Sequence, residues 1–420
     1  MDTSSARWWA CPLDVGTLAA DVVERVRAAA AALSRVRNLD LRPATSPALV
    51  VASFAALEHL RVDGDAVESW AELSGFARTA DGWVRLHGNH PHHAAALQKL
   101  YGIRDRAGLE RALAARTGSQ VEQEVTAAGG IAVRVLDRAQ WQEHPQARDR
   151  ARHGWVEVED RGAREPPTPI RPRPELLAGV RVLDLTRVIA GPTCSQLLSC
   201  LGADVLRVDP PHRPEIREQH LSTGMGKRST LLDLRDAVQR ERALSLAAGA
   251  DVILTGYRPG ALDRHGFGTE DLAALAPQAV IGALSAWGEA GPWGRRAGFD
   301  SIVQAATGIA VACGTSERPG ALPVQALDHA TGHLLAAAVL EALAEGRART
   351  IRVSLLGAAE ALHSLPRSPG GDVAEHPVPT VRVRSGAREL IAVPPPLLID
   401  GRTIERDVPE YAAAAPVWRD

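Results

Sequence analysis

Between residues 179 and 288, short apolar runs alternate with helical stretches so regularly that few folds can accommodate them. GVRVLDL (179–185) reads as a strand; a Gly-Pro turn at 190–192, the helical TCSQLLSCLGA and a second strand, DVLRVDP, follow it. The order then repeats, with STLLDL (229–234), DVILTG (251–256) and AVIGALSAWG (279–288) as strands and DAVQRERALSLAAGA and TEDLAALAP as helices between them. Strand-helix-strand units of about thirty residues build a parallel sheet with helices on both faces. The expected class is therefore α/β, an open, mostly parallel Rossmann-like sheet, and ligands in such sheets bind beyond the carboxyl ends of the strands.

The rest of the chain is read around that block. Residues 157–176, EVEDRGAREPPTPIRPRPEL, carry charge and five prolines without apolar periodicity and read as an extended linker. The boundary divides a helical and small-domain-like region, 1–156, from the α/β region, 177–420. Upstream, residues 14–36 have helical periodicity, residues 74–93 suggest a hairpin around Asp81-Gly82, residues 94–116 read as one or two helices and GGIAVRVLD (129–137) as a strand. The segment RAQWQEHPQARDRARHG is expected to be polar and helical. With 45% hydrophobic and 23% charged residues and a formal net charge of -2, the chain has no overall pull toward nucleic acid or anionic membrane. Four scattered cysteines do not form a disulfide framework or a zinc motif, and neither a basic-then-apolar leader nor a membrane-length apolar run occurs, so a cytoplasmic location is expected.

Several residues stand out chemically. VQALDHATGH (324–333) sets Asp328 before the apolar run LLAAAVLEAL, where it can serve either as a helix cap or as a reactive carboxylate. His87, His90, His92 and His93 cluster, but no carboxylate or cysteine stands at a supporting spacing, so they read as loop histidines and no metal site is expected. Only two lysines occur, Lys99 and Lys227, and Lys227-Arg228 stand just before a strand where paired cations suit a phosphate. GMGKRST lacks the spacing of a nucleotide-triphosphate loop, and no GxSxG nucleophile elbow is present.

VRVLDLTRVIAGPTCSQLLSCLGADVLRVDPP, GKRSTLLDLRD, ILTGYRPGALDRHGFGTEDLAALAP, the GPWGRRAGFD passage, QAATGIA, ALDHATGHLLAAAVLEAL and IRVSLLGAAEAL occur in that order. Together they resemble the larger domain of the family III CoA-transferases, a group that includes α-methylacyl-CoA racemases and carnitine CoA-transferases. The resemblance implies a large CoA-binding α/β domain joined to a smaller α+β domain, with an acyl-CoA and a carboxylic acid as substrates and no permanently bound cofactor. It also implies a homodimer, in the family an interlocked one. ADGWVRLHGNHPHHAAALQKLYGI and AAGGIAVRVLDRAQWQEHPQAR resemble parts of the family's smaller domain, which usually follows the larger one, so the halves here are permuted.

By the same resemblance Asp328 is the nucleophile, and Ile189, Ala190, Tyr257, Arg258, Ala261, Arg264, Ala297, Gly298, Phe299 and Asp300 line the CoA site, with Lys227 and Arg228 near a phosphate. Two asparagines common in the family are replaced, one by Gly224-Met225-Gly226 and one by Thr255-Gly256. A catalytically impaired acyl-CoA-binding or partner subunit and an α-methylacyl-CoA racemase are the alternatives. A racemase needs an acid and a base on opposite faces of the α-carbon. The family's partner histidine corresponds to Phe299, which cannot carry a proton, and His329 beside Asp328 is expected to point elsewhere.

Overall fold

A computed structural model describes residues 8–68, 70–150, 152–165, 175–368 and 372–419. Its main elements begin with helix α1 (Val15–Val36), hairpin strands β1 (Gly75–Thr79) and β2 (Gly82–Leu86), helix α2 (Pro91–Tyr101) and strand β3 (Ala132–Arg134). They continue with strand β4 (Val156–Ala163), β5 (Arg181–Leu185), helix α3 (Ala190–Cys200), β6 (Asp204–Asp209) and β7 (Arg228–Leu231). Helix α4 (Ala237–Ala248), β8 (Val252–Thr255), α5 (Thr269–Leu275), β9 (Val280–Ser285) and α6 (Asp300–Ala306) follow. Helix α7 (Ala326–Ala344), β10 (Arg347–Ser354) and α8 (Leu355–Ser364) close the α/β block.

The large sheet runs β7-β6-β5-β8-β9-β10-β4, parallel throughout except for β4, which pairs antiparallel with β10. The chain steps outward from β5 through β6 to β7, then returns to lay β8 on the other side of β5. Loops leaving β5 and β8 therefore diverge and open a crevice at their carboxyl ends.

Helix α7 is apolar on every side and buried along nearly its whole length, as a helix in the middle of a core must be. Helix α3 crosses it closely: a Cβ at Gly332 would lie 2.3 Å from the Ala190 carbonyl oxygen and 2.9 Å from Thr193 Cβ. Only glycine allows that approach. On its other flank lies α1, whose Val15, Leu18, Ala19, Val22, Val23 and Val26 form one apolar face and whose start is capped by Asp14, accepting from the Thr17 N-H at 3.0 Å. Helix α1 thus belongs to the core of the parallel sheet, although the sequence groups it with the upstream region.

The linker expectation is corrected by β4. Residues 156–163 are not a free connection but the antiparallel edge of the large sheet, held by the backbone ladder and by the ion pairs Arg347–Asp160 (2.7 Å) and Arg352–Glu159 (3.1 Å). An exposed edge strand needs no alternating apolar pattern, which is why its sequence resembles a connector. Residues 166–174 of the expected linker lie outside the described residues.

Strands β1, β2 and β3 form an antiparallel sheet with the expected hairpin, Thr79 pairing with Gly82 across a two-residue turn. Its small core holds Leu73, Val84, Leu86, Leu97, Leu109 and Val121. The two ends of the chain meet in another sheet, where Arg61–Val62 pairs with Arg388–Ala392. The segment expected to be merely polar forms helices Arg138–Glu143 and Pro145–Arg150 but buries Trp141 and Gln146. Trp141 Nε1 donates to Glu360 at 2.9 Å, and Gln146 Nε2 to the Trp287 carbonyl at 3.0 Å.

Because α1 covers α7 and residues 61–66 complete the carboxy-terminal sheet, a fragment of residues 170–420 should be insoluble or aggregate when expressed alone. Size-exclusion chromatography of that fragment checks this; a soluble, monodisperse and fully active fragment would contradict it.

Candidate active site

A cleft of about 500 Å³ lies at the crevice between β5 and β8. Residues that follow all six parallel strands line it: Arg187 and Val188 after β5, Pro210 and Arg213 after β6, Leu232 to Arg235 after β7, Gly256 to Arg258 after β8, Ala286 after β9 and Leu355 after β10. Its mouth is strongly cationic, with Arg187, Arg213, Arg235, Arg258, Arg264 and Arg296 among the lining residues. Arg235 is held by a bidentate pair with Asp233 (2.9 and 2.7 Å), and Arg296 by Glu122 at 2.6 Å. Neither Arg213 nor Arg258 makes an ion pair among the described residues, so both are available to an anion.

Beneath the cleft a charged network fixes the first loop. Arg207, almost wholly buried, pairs with Asp209 (2.8 Å) and Glu215 (2.6 Å). Burial by itself would raise the Glu215 carboxyl, but Arg207 and Arg187 bring it down to about 2. Glu215 in turn accepts from the Val188 N-H at 2.8 Å, holding Val188 at φ 70°. A β-branched residue in that left-handed region is strained, and such strain is retained where the surroundings over-determine it.

Asp328 opens toward the floor of the cleft from the first turn of α7. It is not the cap of that helix: the N-cap position is Gln325, which makes no side-chain capping bond. Capping comes instead from Asp300 at the start of α6. One Asp300 oxygen accepts from the Asp328 N-H at 3.0 Å, and the Leu327 N-H points at the same carboxylate. The other accepts from Gln304 Nε2, whose own oxygen accepts from the Leu322 N-H at 2.9 Å. Two aspartates thus stand at one buried helix start. Burial raises Asp300 to about 6, and burial followed by the neighbouring Asp300 pushes Asp328 well above the ordinary carboxyl value. No hydrogen bond among the described residues reaches the Asp328 carboxylate.

The structure brings most of the sequence-derived candidates to the cleft. Ala190, Tyr257, Arg258, Ala261, Arg264, Ala297, Gly298 and Phe299 line it with Asp328. Gly298 is required there by packing, since a Cβ would lie 2.7 Å from Ala286 Cβ and 2.8 Å from Trp287 Nε1. Ile189 faces a smaller neighbouring cavity instead.

Three expectations are corrected. Asp300 does not line the cleft; it is 1% exposed and spends its oxygens on α6 and α7. Lys227 does not reach toward a phosphate. It is 1% exposed and bonded to Ser195 Oγ at 2.9 Å and Asp184 at 3.3 Å. Burial would raise Asp184, but Lys227 and Arg207, with the Ser195 and Thr186 hydroxyls, hold it below its ordinary value. Arg228 makes a bidentate pair with Asp204 (3.0 and 2.7 Å) and donates to the Val417 carbonyl, so it is committed to the sheet edge.

The histidine cluster is the largest addition. His90, His92 and His93, at the start of α2, line the cleft. His87 stacks on Phe299 with ring centroids 3.8 Å apart and planes 7° apart, and His90 and His93 lie 5.7 and 5.9 Å from the same ring. Burial lowers all three, His90 to about 4 and His93 to about 3, so they are neutral at neutral pH. Among the described residues no group of histidine, cysteine or carboxylate side chains is arranged to hold a metal ion. The sequence displayed the cluster but gave no sign of its partner, which lies more than two hundred residues downstream. His329 is buried beside Thr193, 3.4 Å from its hydroxyl, and burial lowers it to about 4. No helix among the described residues is long and apolar enough to cross a membrane.

Residues 177–393, just over half of the chain, match the family described as CoA-transferase family III. A probable fatty acyl-CoA transferase of Mycobacterium tuberculosis, Rv3272, is 34% identical over 234 residues, covering 50% of this chain and 59% of that protein. The succinyl-CoA--D-citramalate CoA-transferase of Chloroflexus aurantiacus is 38% identical over 160 residues, 35% of this chain and 39% of that one. A crystal structure of Rv3272 matches at 36% identity with a TM-score of 0.42, covering 45% of this chain and 57% of the other. The chain therefore spans roughly half the length of the curated relatives it matches.

Replacing Lys227 tests its corrected role. Lys227→Met leaves Asp184 charged and buried without its partner, which should cost about 3–5 kcal/mol of stability in urea unfolding. The folded fraction should retain its affinity for CoA. A sharp loss of CoA affinity at unchanged stability would return Lys227 to the phosphate.

Proposed function

This chain belongs to CoA-transferase family III, and on that premise we propose that it transfers coenzyme A between an acyl-CoA and a carboxylic acid through a covalent intermediate on Asp328. The observation that carries this reading is the state of Asp328: a carboxyl group open to an arginine-lined cleft, largely buried and without a hydrogen bond from the described residues, on a helix start held by Asp300. Removing water and hydrogen-bond donors from a carboxylate raises its basicity and its nucleophilicity together.

Each step conserves the energy of an activated acyl bond. An Asp328 oxygen attacks the thioester carbonyl carbon, the carbon-sulfur bond breaks, and a mixed anhydride and the CoA thiolate result. The thiolate attacks the aspartyl carbonyl carbon and expels the first acid as its carboxylate, leaving an aspartyl-CoA thioester. The acceptor carboxylate attacks that thioester, re-forming an anhydride and the thiolate. Attack of the thiolate on the acceptor's acyl carbon then releases the new acyl-CoA and regenerates Asp328. No nucleotide hydrolysis is needed, because a thioester is exchanged for a thioester.

Arg213, Arg258 and Arg264 line the cleft without an ion pair among the described residues and are the cations for the CoA phosphates, and Tyr257, partly buried, offers a ring to the nucleotide. Helix α3 starts at the cleft without a side-chain cap, so its first-turn N-H groups at Ala190 and Gly191 are candidate donors to the tetrahedral oxyanion. Residues 75–134 are proposed to serve as the smaller domain in permuted order, since their sheet packs on α6, and the helix that follows its hairpin carries His90 and His93 to the cleft while His87 stacks on Phe299.

Asp328→Asn should lower turnover about a hundredfold or more, because the amide preserves shape but is a poor nucleophile. The same variant should melt higher than the parent near pH 8. Both aspartates have raised values in the folded protein, so their contribution to stability is complete at acidic pH and lost as pH rises through those values. The gain should fade toward pH 4. Retention of more than about a tenth of the activity would exclude Asp328 as the nucleophile.

A further inference from the structure

Asp328 borders two cavities. Besides the cleft, a separate cavity of about 270 Å³ reaches it from the side of the amino-terminal region, and the two share only Val188, Phe299 and Asp328. The two spaces differ in chemistry. The cleft is lined by six arginines, whereas among the described residues no arginine or lysine lines the smaller cavity. Its apolar walls come from Phe54, Leu57, Trp70, Ile189 and Ile216, and among the described residues the acidic groups lining it are Glu58 and Asp328. Arg85 is not among the lining residues; its guanidinium lies over the rings of Trp70 and Phe76 at 4.8 and 4.9 Å.

Asn89, Gln219, Gln325 and His329 add neutral polar groups to these walls, and two polar atoms of the lining, one on Ser301 and one on His87, have no hydrogen bond among the described residues. Ser301, 4% exposed, has a hydroxyl without a hydrogen bond, and His87, 5% exposed, has an unbonded Nδ1. Buried polar atoms are rarely left unsatisfied without a function. Val188, Phe299 and Asp328 are thus the boundary between an arginine-lined space and one without such cations among its described lining residues.

Resting on the transferase reading, we propose that the smaller cavity is the acyl subsite and that it selects uncharged monocarboxylic acyl groups of medium length or with one aryl ring. Ser301 and His87 provide polar contacts for the carboxyl oxygen of the bound acid. A second carboxylate on the acyl chain meets Glu58 and no cation, which disfavours dicarboxylic substrates. An enclosed apolar cavity of about 150 Å³ accommodates benzene, so a space of about 270 Å³ suits an acyl group of about six to nine carbons.

The test compares kcat/KM for acetyl-, hexanoyl-, benzoyl-, succinyl- and palmitoyl-CoA with a common acceptor acid, using the full chain. Hexanoyl- or benzoyl-CoA should exceed the acetyl, succinyl and palmitoyl thioesters by about tenfold or more. Leu57→Trp should lower the ratio of hexanoyl to acetyl by about the same factor, mainly through KM. Glu58→Arg, a change at an exposed position, should raise the ratio of succinyl to hexanoyl several-fold and so tests the assignment even if Leu57→Trp fails to fold. Preference for succinyl- or palmitoyl-CoA in the parent, or unchanged ratios in folded variants, overturns the subsite. Absence of transfer from every donor would instead count against the transferase reading itself.

Discussion

Two carboxylates share the buried start of one helix, and the site depends on how they divide their tasks. Asp300 accepts from the Asp328 N-H, with the Leu327 N-H directed at it, and from Gln304, so its charge is spread over donors that the protein supplies. Asp328, held by that bond through its backbone, has carboxyl oxygens that no hydrogen bond among the described residues reaches. Neighbouring like charges and burial both favour the protonated forms. The fold therefore holds two buried carboxyl groups in an unfavourable setting, and the core around α7 supplies the stability that permits it.

That core also explains the position of the cleft. Helix α7 is buried between α1 and α3, and the close approach at Gly332 brings the start of α3 next to the start of α7. Both helix starts lie at the carboxyl ends of β5 and β8, where the chain reverses its direction of travel across the sheet. A cationic wall and the Asp328 carboxyl group come together there because the topology brings six strand ends to one place.

Much of this was legible locally. The alternation from 179 to 288 predicts the parallel strands and their intervening helices, and the ordered motifs place Asp328, Tyr257, Arg258, Arg264 and Phe299 at one site. What was not legible depended on distant partners. Lys227 looks like a phosphate ligand until Asp184, forty-three positions earlier, is seen beside it inside the core. Asp300 looks like a ligand-facing acid until the α7 backbone claims its oxygens. Strand β4 carries little apolar periodicity because its face is exposed, and its ladder to β10 leaves no trace in side-chain pattern. The histidines of residues 87–93 read as a surface loop because Phe299, around which they pack, is remote in sequence.

The central claim concerns a covalent bond, and the direct measurement is mass spectrometry of the protein quenched in acid during turnover with an acyl-CoA and then digested. The account predicts that the peptide containing Asp328 carries the added mass of a CoA thioester, and that the adduct disappears when acceptor acid is chased through the site. Sustained transfer with that peptide unmodified at every sampled time, or with the adduct on another residue, would contradict it.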